Sequence, residues 1–355
     1  MSNRNENEIK TIYKKMTKPL CAWYRQNARD LPWRKDRIPY HIWLSEIMFQ
    51  QTRVEAVRLY YIRFLRTLPD IEALANAEED ILLKLWEGLG YYNRIRNMQK
   101  AARIIMREHG GMFPTQYRDI LALPGIGEYT AGAIVSIAFG APTPAVDGNV
   151  LRVMARLTND DRCVDTPAFK REVYHRLAEV YPLTEAGEFT QALMELGAIV
   201  CLPNGTPKCE SCPVQALCCS KQAGTQTDLP VKAVKKARKT EELTVFVFEH
   251  NGAIALRRRT QKGVLFGLTE LPNVAGTLNE AEAIRTAEQF GLQVDSLQKC
   301  IRRKHIFTHI EWHMTCYFLH CRTHSEAFVW ASEAELADRH ALPTAFRKLL
   351  EGTTI

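Results

Sequence analysis

The spacing of apolar residues changes along the chain and separates two kinds of predicted structure. Between residues 9 and about 220, apolar residues recur every three or four positions, as at Ile134, Val135, Ile137 and Ala138. This spacing predicts amphipathic helices, and short Pro- and Gly-containing breaks separate them. The first part of the chain is therefore predicted to be all-α. It is preceded by a polar tail over residues 1–10 that we expect to be frayed.

The pattern becomes strand-like near the C-terminus. The run Leu-Thr-Val-Phe-Val-Phe at 243–248, closed by Asn251 and Gly252, predicts a strand and a hairpin turn. Residues 257–271 and 312–319 are also predicted as strands, and 281–290 as a helix ended by Gly291. A smaller α+β domain is therefore expected over residues 243–355. The basic stretch before it, residues 221–242, is predicted to be a solvated linker that contains Lys232, Lys235, Lys236, Arg238 and Lys239.

Composition narrows the class of protein. A length of 355 residues predicts two or three domains. The formal net charge of +7 permits a polyanionic partner without requiring one. No apolar run approaches the length of a membrane span, and the polar N-terminus is no secretory signal. We therefore expect no membrane partner and a cytoplasmic protein.

Ten cysteines are present, and five of them lie between Cys201 and Cys219. Without a secretory signal, this clustering indicates a metal site rather than disulfides. The first four follow the pattern Cys-x7-Cys-x2-Cys-x5-Cys. Zinc ribbons usually contain two close pairs, whereas here one pair has single cysteines on either side, so spacing alone leaves zinc and an iron–sulfur cluster open.

Three further segments contain candidate chemistry. The pentapeptide Leu-Pro-Gly-Ile-Gly at 123–127 lies between predicted helices and is either a nest of amides that binds phosphate or an ordinary turn. Asp147 precedes a helical run and is either an N-cap or a functional carboxylate. Glu46 lies among apolar residues, which suits a protonated general acid; taken alone, the residue is more typical of the exposed face of an amphipathic helix.

These motifs, in this order, resemble the endonuclease III superfamily of base-excision DNA glycosylases, and within it the MutY branch of adenine glycosylases. The resemblance covers nearly the whole chain. It rests on Leu-Pro-Trp-Arg at 31–34, Ser-Glu-Ile-Met-Phe-Gln-Gln-Thr at 45–52, Gly-Leu-Gly-Tyr-Tyr-Asn-Arg at 88–94, Leu-Pro-Gly-Ile-Gly at 123–127, Val-Asp-Gly-Asn at 146–149 and Phe-Thr-Gln-Ala-Leu-Met-Glu-Leu-Gly at 189–197.

The resemblance implies an all-α helix-hairpin-helix catalytic region with an iron–sulfur loop, followed by a Nudix-like domain. Residues 1–28 with 136–220 would form the iron–sulfur subdomain, 29–135 a six-helix barrel, 221–242 a linker and 243–355 the recognition domain. The [4Fe–4S] ligands would be Cys201, Cys209, Cys212 and Cys218. One extra residue separates the first two cysteines relative to the family, and Cys219 could compete as the fourth ligand.

The implied activity is removal of adenine paired with 8-oxoguanine or guanine in double-stranded DNA, by a bacterial, nucleoid-associated monomer. Glu46 would protonate the base, ionised Asp147 would stabilise the sugar cation, and Tyr129 and Asn149 would orient them. Tyr129 also occupies the position of the lysine that bifunctional relatives use, which predicts a monofunctional enzyme. The implied contacts to DNA or base are Arg34, Gln51, Thr52, Leu89, Tyr91, Gly125, Gly127, Gln191, Phe307, Thr308 and His309.

Three other functions fit the sequence less well. A Nudix pyrophosphatase needs a Glu-rich metal helix, but Ile284, Arg285 and Gln289 stand where most of the acidic and basic motif residues would be. A catalytically dead damage sensor would not need both Glu46 and Asp147. A pyrimidine-damage lyase is disfavoured by Tyr129 and by the additional C-terminal domain.

Overall fold

A computed structural model of the chain describes residues 6–52, 54–234 and 237–351. It divides into two compact units. The first comprises the chain up to Asn76 together with Asn97–Val234, and the second joins Ala77–Arg96 to the C-terminal residues. Residues 77–96 therefore cluster with the C-terminal domain, whereas the sequence assigned them to the barrel subdomain. None of the described helices is long and apolar enough to cross a membrane.

Helices form as the apolar spacing predicts over the first 223 residues. They are α1 (Glu6–Asn27), α2 (Pro39–Phe49), α3 (Val54–Thr67), α4 (Ile71–Asn76), α5 (Glu79–Leu85), α6 (Asn93–Glu108), α7 (Tyr117–Leu121), α8 (Glu128–Phe139), α9 (Gly148–Thr158), α10 (Pro167–Ala178), α11 (Ala186–Ile199) and α12 (Cys219–Ala223). The expected frayed tail is wrong for residues 6–10, which begin α1, because the helix is anchored by Ile12 and Met16 in the core. Residues 1–5 lie outside the described part.

The core of the first unit lies where α1, α9, α10 and α11 meet. Met16, Leu20, Met154 and Phe189 are completely buried there. Every described residue of α9 from Val150 to Thr158 is buried. A helix buried on all sides is held rigidly, because each turn packs against neighbours. The N-terminus of α9 is consequently held in a fixed position, and so is its N-cap residue, Asp147.

The second unit is built on a seven-stranded mixed sheet with the path β3-β2-β1-β6-β5. Its elements are β1 (Lys239–His250), β2 (Ala253–Arg258), β3 (Thr269–Glu270), β4 (Asn273–Ala275), α13 (Glu280–Gln289), β5 (Val294–Ile306), β6 (Ile310–Cys321), β7 (Val329–Ser332), α14 (Glu333–Asp338) and α15 (Thr344–Leu350). The strand at 243–248, the 251–252 hairpin and the helix before Gly291 are confirmed. Phe246 and Phe248 pack toward α13, while Val245 and Val247 pack toward α15. Helices cover both faces of the sheet, so β1 is apolar at successive positions.

Two predictions for this region need correction. The strand predicted at 257–271 is interrupted, because residues 259–268 form a loop closed by backbone bonds between Arg259 and both Gly267 and Leu268. The predicted linker is shorter than 221–242, since residues 221–223 belong to α12 and 239–242 to β1. Residues 239–242 are ordered by parallel pairing with β6. Lys235 and Lys236 lie outside the described residues.

Candidate active site

A pocket of about 460 Å³ in the first unit collects most of the catalytic and base-contacting residues predicted for it. Its walls come from α2, the N-terminus of α8, the start of α9 and one face of α11. The predicted site residues that line it are Arg34, Glu46, Gln51, Thr52, Tyr129, Asp147, Asn149 and Gln191. These residues are up to 157 positions apart in the chain, so the pocket is a product of the tertiary fold.

Glu46 is a buried acid within α2 and is not on an exposed helix face. Its side chain accepts a hydrogen bond of 2.5 Å at Oε2 from the Tyr129 hydroxyl. The pKa of Glu46 is raised to about 7, chiefly by burial and also by the negative charge of Asp147, against the lowering effects of Tyr129 and Arg34. Burial and the same two carboxylates hold the pKa of Tyr129 well above its ordinary value. Glu46 can therefore carry a proton at neutral pH.

Asp147 is the N-cap of α9, as one of the two interpretations predicts, and its residue also lines the pocket. Its Oδ1 accepts the backbone N–H of Val150 at 2.8 Å, and its Oδ2 accepts the Asn149 amide at 2.7 Å. Burial raises the pKa of Asp147, while these two donors oppose the rise. Donors on both oxygens favour the ionised form.

The loop that precedes Asp147 lies unusually close to α8. A Cβ atom on Gly132 would lie 2.1 Å from the carbonyl oxygen of Pro144, so only glycine allows this approach. One turn earlier on α8 is Tyr129, which contacts Glu46. Gly132 thus lets the loop that carries Asp147 pack against α8. The same helix carries Tyr129, the hydrogen-bond partner of Glu46.

Asn149 connects Asp147 to the cysteine loop. Its Oδ1 accepts a hydrogen bond from Arg152 at 2.9 Å, and Arg152 also donates to the carbonyl oxygens of Gly197 and Cys201, both at 2.8 Å. Arg156, one turn further along α9, donates to the Cys201 sulfur at 3.2 Å. The two buried arginines fix the cysteine loop on the same helix whose N-terminus presents Asp147. Sequence reasoning missed both, although their spacing after Asn149 places them on the same side of α9.

The pocket is also lined by Glu195 and Arg29, which the sequence analysis did not single out. Glu195 is completely buried and accepts hydrogen bonds from Arg29 and from Arg34, the latter at 2.7 Å. Burial alone would raise the pKa of Glu195, but the two guanidinium groups outweigh it and lower the pKa to about 2. The Tyr24 hydroxyl donates to Gln191 at 3.0 Å. Glu195 lies four residues after Gln191, so a helical α11 puts both on one face.

The Gly-rich turn connects α7 to α8 as predicted. Gly125 has a left-handed backbone with φ of 79°, and a Cβ there would lie 2.8 Å from the Cβ of Asn97. Gly127 caps the N-terminus of α8. The first backbone N–H groups of this twelve-residue helix can donate hydrogen bonds to a phosphate.

Gln51 and Tyr91, two of the predicted contacts to DNA, share a left-handed backbone conformation. Among the described residues five that are not glycine have a left-handed φ, and Gln51 at 65° and Tyr91 at 48° are two of them. Such conformations are costly and concentrate at functional sites. Gln51 belongs to the first unit and Tyr91, half exposed, to the second. Leu89, two residues before Tyr91, is buried.

Three of the predicted DNA contacts, Phe307, Thr308 and His309, form the turn between β5 and β6. The Phe307 N–H donates to the Ile310 carbonyl oxygen at 2.8 Å, which leaves Thr308 and His309 exposed at the tip. The Thr308 hydroxyl is hydrogen-bonded to the hydroxyl of Tyr91, which belongs to the same unit. Phe307 packs on Trp312 with ring centroids 4.8 Å apart. The segment is thus an exposed turn that the Phe307 ring anchors against Trp312.

The four cysteines expected to bind metal line one small cavity. Among the described residues no three His, Cys, Asp or Glu side chains converge closely enough to hold a single metal ion. The thiols surround the cavity together with Arg156 and Lys221. Cys219 does not line it: its side chain is buried in α12, so Cys218 is the better candidate for the fourth ligand.

The two units match two known families. Residues 44–182 match the HhH-GPD superfamily of base excision DNA repair proteins, and residues 244–352 match the NUDIX domain. A solved structure of a thermostable thymine-DNA glycosylase superposes on 60% of this chain and 98% of its own, with 27% identity and a TM-score of 0.55. The fold and the site together define a helix-hairpin-helix DNA glycosylase with a C-terminal Nudix-like domain.

Curated relatives extend over nearly the whole chain. The adenine DNA glycosylase of Buchnera aphidicola (subsp. Acyrthosiphon pisum) is 30% identical over 94% of this chain and 95% of its own length. The adenine DNA glycosylase of Arabidopsis thaliana is 35% identical over 86% of this chain and 56% of its own. The chain belongs to the adenine DNA glycosylase family, whose members act in base excision repair.

Proposed function

We propose that this glycosylase excises adenine paired with 8-oxoguanine or guanine and hydrolyses the N-glycosidic bond to leave an abasic site. The observation that carries the proposal is the pair of buried carboxyl groups, Glu46 and Asp147, in one pocket of the first unit. The reaction needs one carboxyl group that is protonated and one that is ionised, and the environments of Glu46 and Asp147 differ in this way. One has a pKa of about 7, and the other is surrounded by donors that favour its charged form.

Glu46 supplies the proton that makes adenine a neutral leaving group. The Tyr129 hydroxyl donates to Oε2, so the acidic proton belongs on Oε1, the oxygen left for the base. Transfer of that proton to adenine N7 lets the electrons of the glycosidic bond move onto the base. Gln191 and Arg34 line the same pocket and can hydrogen-bond the edge of the adenine.

Asp147 stabilises the oxocarbenium-like sugar that remains after bond cleavage. Its carboxylate is fixed by Val150 and Asn149, so little reorganisation is needed when positive charge develops. The Glu46 carboxylate, once deprotonated, can then accept a proton from the attacking water. The products are free adenine and an abasic sugar that carries a hydroxyl group, derived from the water, at C1′.

We propose that the enzyme is monofunctional because Tyr129 cannot form a Schiff base with the abasic sugar. Borohydride added during turnover is therefore expected to trap no covalent protein–DNA adduct, and intact abasic strands should accumulate until alkali is added. Tyr129→Lys is a useful comparison, since it adds an amine at this position. Efficient borohydride trapping by the unmodified enzyme would contradict the proposal.

Base excision requires the adenine to leave the duplex, and we propose that Gln51 and Tyr91 wedge into the space that it vacates. Their left-handed backbones support this role, because strained residues persist where geometry is functional. The amides of Gly125 and Gly127 at the start of α8 would hold a backbone phosphate without reading sequence. Thr52 also lines the pocket, and its buried hydroxyl has no partner among the described residues.

We further propose that the turn formed by Phe307, Thr308 and His309 reads the 8-oxoguanine. An exposed hydroxyl beside Tyr91 can accept or donate to the oxidised base, and the stiff Thr308 side chain is already oriented by that contact. Thr308→Ala combined with His309→Ala is expected to reduce the preference for 8-oxoguanine over guanine roughly tenfold, the value of one or two hydrogen bonds.

The measurement is single-turnover adenine release from duplexes with adenine opposite 8-oxoguanine and opposite guanine. Thr308→Ser is the matched control, because it keeps the hydroxyl and removes only the methyl group. The control should retain the preference. An intact preference in the double alanine variant would show that the turn is not the recognition element.

We propose that Cys201, Cys209, Cys212 and Cys218 hold a [4Fe–4S] cluster, which would supply structural cross-linking of the loop. The four thiols around one cavity and the Arg156 hydrogen bond to Cys201 support this, since a cation stabilises thiolate sulfur. The purified protein is expected to be brown and to contain about four iron atoms per chain. Cys218→Ser should lower the iron content and Cys219→Ser should not. Stoichiometric zinc in place of iron would overturn the assignment.

A further inference from the structure

A basic groove lies in the second unit beside the proposed recognition turn. It has a volume of about 240 Å³ and runs between β5 and α15. Strand β5 forms one edge of the sheet, so its outer backbone groups have no neighbouring strand on the path β3-β2-β1-β6-β5. The residues that line the groove are Arg303, Lys304, His305, Met314, Ala345, Lys348, Leu349 and Glu351.

The charges of this groove are largely uncompensated. Lys304 is paired with Glu311. Arg303 and Lys348, both exposed, form no ion pair within residues 237–351, and the one acid that lines the groove is Glu351. Two unpaired cations in a concave surface attract an anion, since their mutual repulsion is relieved when a negative group lies between them.

The groove is continuous with the recognition turn. His305 packs against Phe307 with ring centroids 4.6 Å apart, and Phe307 is the first residue of that turn. Along an extended strand, Arg303 lies about 13 Å from Phe307. This distance corresponds to roughly four nucleotides of one DNA strand. A duplex whose lesion lies at the turn would therefore carry phosphates past the groove.

We propose that Arg303 and Lys348 form a phosphate-binding site for the DNA backbone about four nucleotides from the base read by the turn at 307–309. This inference rests on the proposed function, because it takes the turn as the point where the lesion lies. The site contributes affinity without sequence or lesion specificity, as contacts to phosphate do. The competing role for these cations is protection of an edge strand against pairing with other chains, which needs no DNA.

The test uses the full-length protein with Arg303→Gln and Lys348→Gln combined. Binding is measured by fluorescence anisotropy over a series of salt concentrations, with a duplex carrying a non-cleavable adenine analogue opposite 8-oxoguanine and with an undamaged duplex. The slope of log affinity against log salt should fall by nearly 2 on both duplexes, about 0.9 for each lost phosphate contact. Adenine release at saturating enzyme should stay unchanged.

A matched control replaces Lys262 and Arg285, which are exposed cations of the same unit outside the groove, by glutamine. This control changes the net charge equally and should leave the slope within 0.5 of its original value. An unchanged slope in the groove variant, or an equal fall in the control, would overturn the proposal. The proposed role of the turn is tested separately by the preference for 8-oxoguanine over guanine. That preference is a ratio between two duplexes, whereas the phosphate site changes the salt dependence on both duplexes alike.

Neutral methylphosphonate linkages locate the site on the DNA. When they replace phosphates three to five nucleotides from the 8-oxoguanine, they should weaken binding of the unmodified protein. They should cause no additional loss in the Arg303→Gln, Lys348→Gln variant, because the same contact is already absent. Additive losses from the two changes would show that the groove does not meet these phosphates.

Discussion

Asp147→Asn is expected to bind a duplex with adenine opposite 8-oxoguanine normally and to release adenine about a thousandfold more slowly. The substitution removes the charge that would stabilise the sugar cation while keeping the shape of the side chain. Asparagine is as good an N-cap as aspartate, so the hydrogen bond from Val150 at the start of α9 can persist. Single-turnover cleavage measures the rate of adenine release, and fluorescence anisotropy on the same duplex measures DNA binding, so the two effects can be separated.

Asp147→Ala is the control that separates the cap from the charge. It should lose the same catalysis and also about 1 kcal/mol of stability, because alanine cannot accept the N–H of Val150. The Asn variant should lose less stability than the Ala variant, because its one side-chain oxygen keeps the bond from Val150 and only the bond from the Asn149 amide is lost. Adenine release by Asp147→Asn at the parent's rate would remove Asp147 from the chemistry and leave it as a cap alone.

Glu46→Gln is expected to slow adenine release by about a hundredfold to ten-thousandfold, the usual contribution of a positioned general acid. Glutamine can still accept the Tyr129 hydrogen bond, so the pocket should keep its form, but it has no proton to give. The comparison is single-turnover adenine release from the same duplex at pH 6.5. Activity within threefold of the parent would exclude Glu46 as the acid.

The pH dependence of the parent enzyme follows from the same residue. Because burial raises the pKa of Glu46 to about 7, the protonated acid is present below that pH and is lost above it. The single-turnover rate should therefore fall about tenfold for each pH unit above 7. A rate that is flat from pH 6 to 9 would contradict the proposed role.

The raised pKa of Glu46 also has a consequence for stability. The folded state holds the proton more tightly than the unfolded state, so this contribution is complete below the ordinary pKa of 4.5 and is lost as the pH rises through about 7. Glutamine cannot ionise. Glu46→Gln should thus be more stable than the parent at pH 8.5, by up to about 3 kcal/mol, and equally stable near pH 4. Urea denaturation at the two pH values measures the difference.

Much of the architecture was available from the sequence, because local patterns determine local structure. The three- to four-residue apolar spacing predicted the helices before residue 223, and the Asn251-Gly252 pair predicted the hairpin between β1 and β2. The spacing failed over residues 259–268, where Arg259 turns inward to the buried carboxylate of Glu270. A long-range ion pair of this kind overrides local propensity and leaves no periodic signal.

Within the active site, the sequence determined which residue types were available, and resemblance singled out Glu46 and Asp147. It left open whether Asp147 was a cap or a functional carboxylate; the structure shows that one oxygen caps α9 through Val150 N–H and that Asp147 also lines the pocket, so the functional role stays a proposal. Only the tertiary structure decided that Glu46 is buried and bonded to Tyr129, that Glu195 holds Arg29 and Arg34, and that Arg152 joins Asn149 to the cysteine loop. Burial and contacts between distant segments shift the pKa of a carboxyl group, and neither is encoded in the few residues around it.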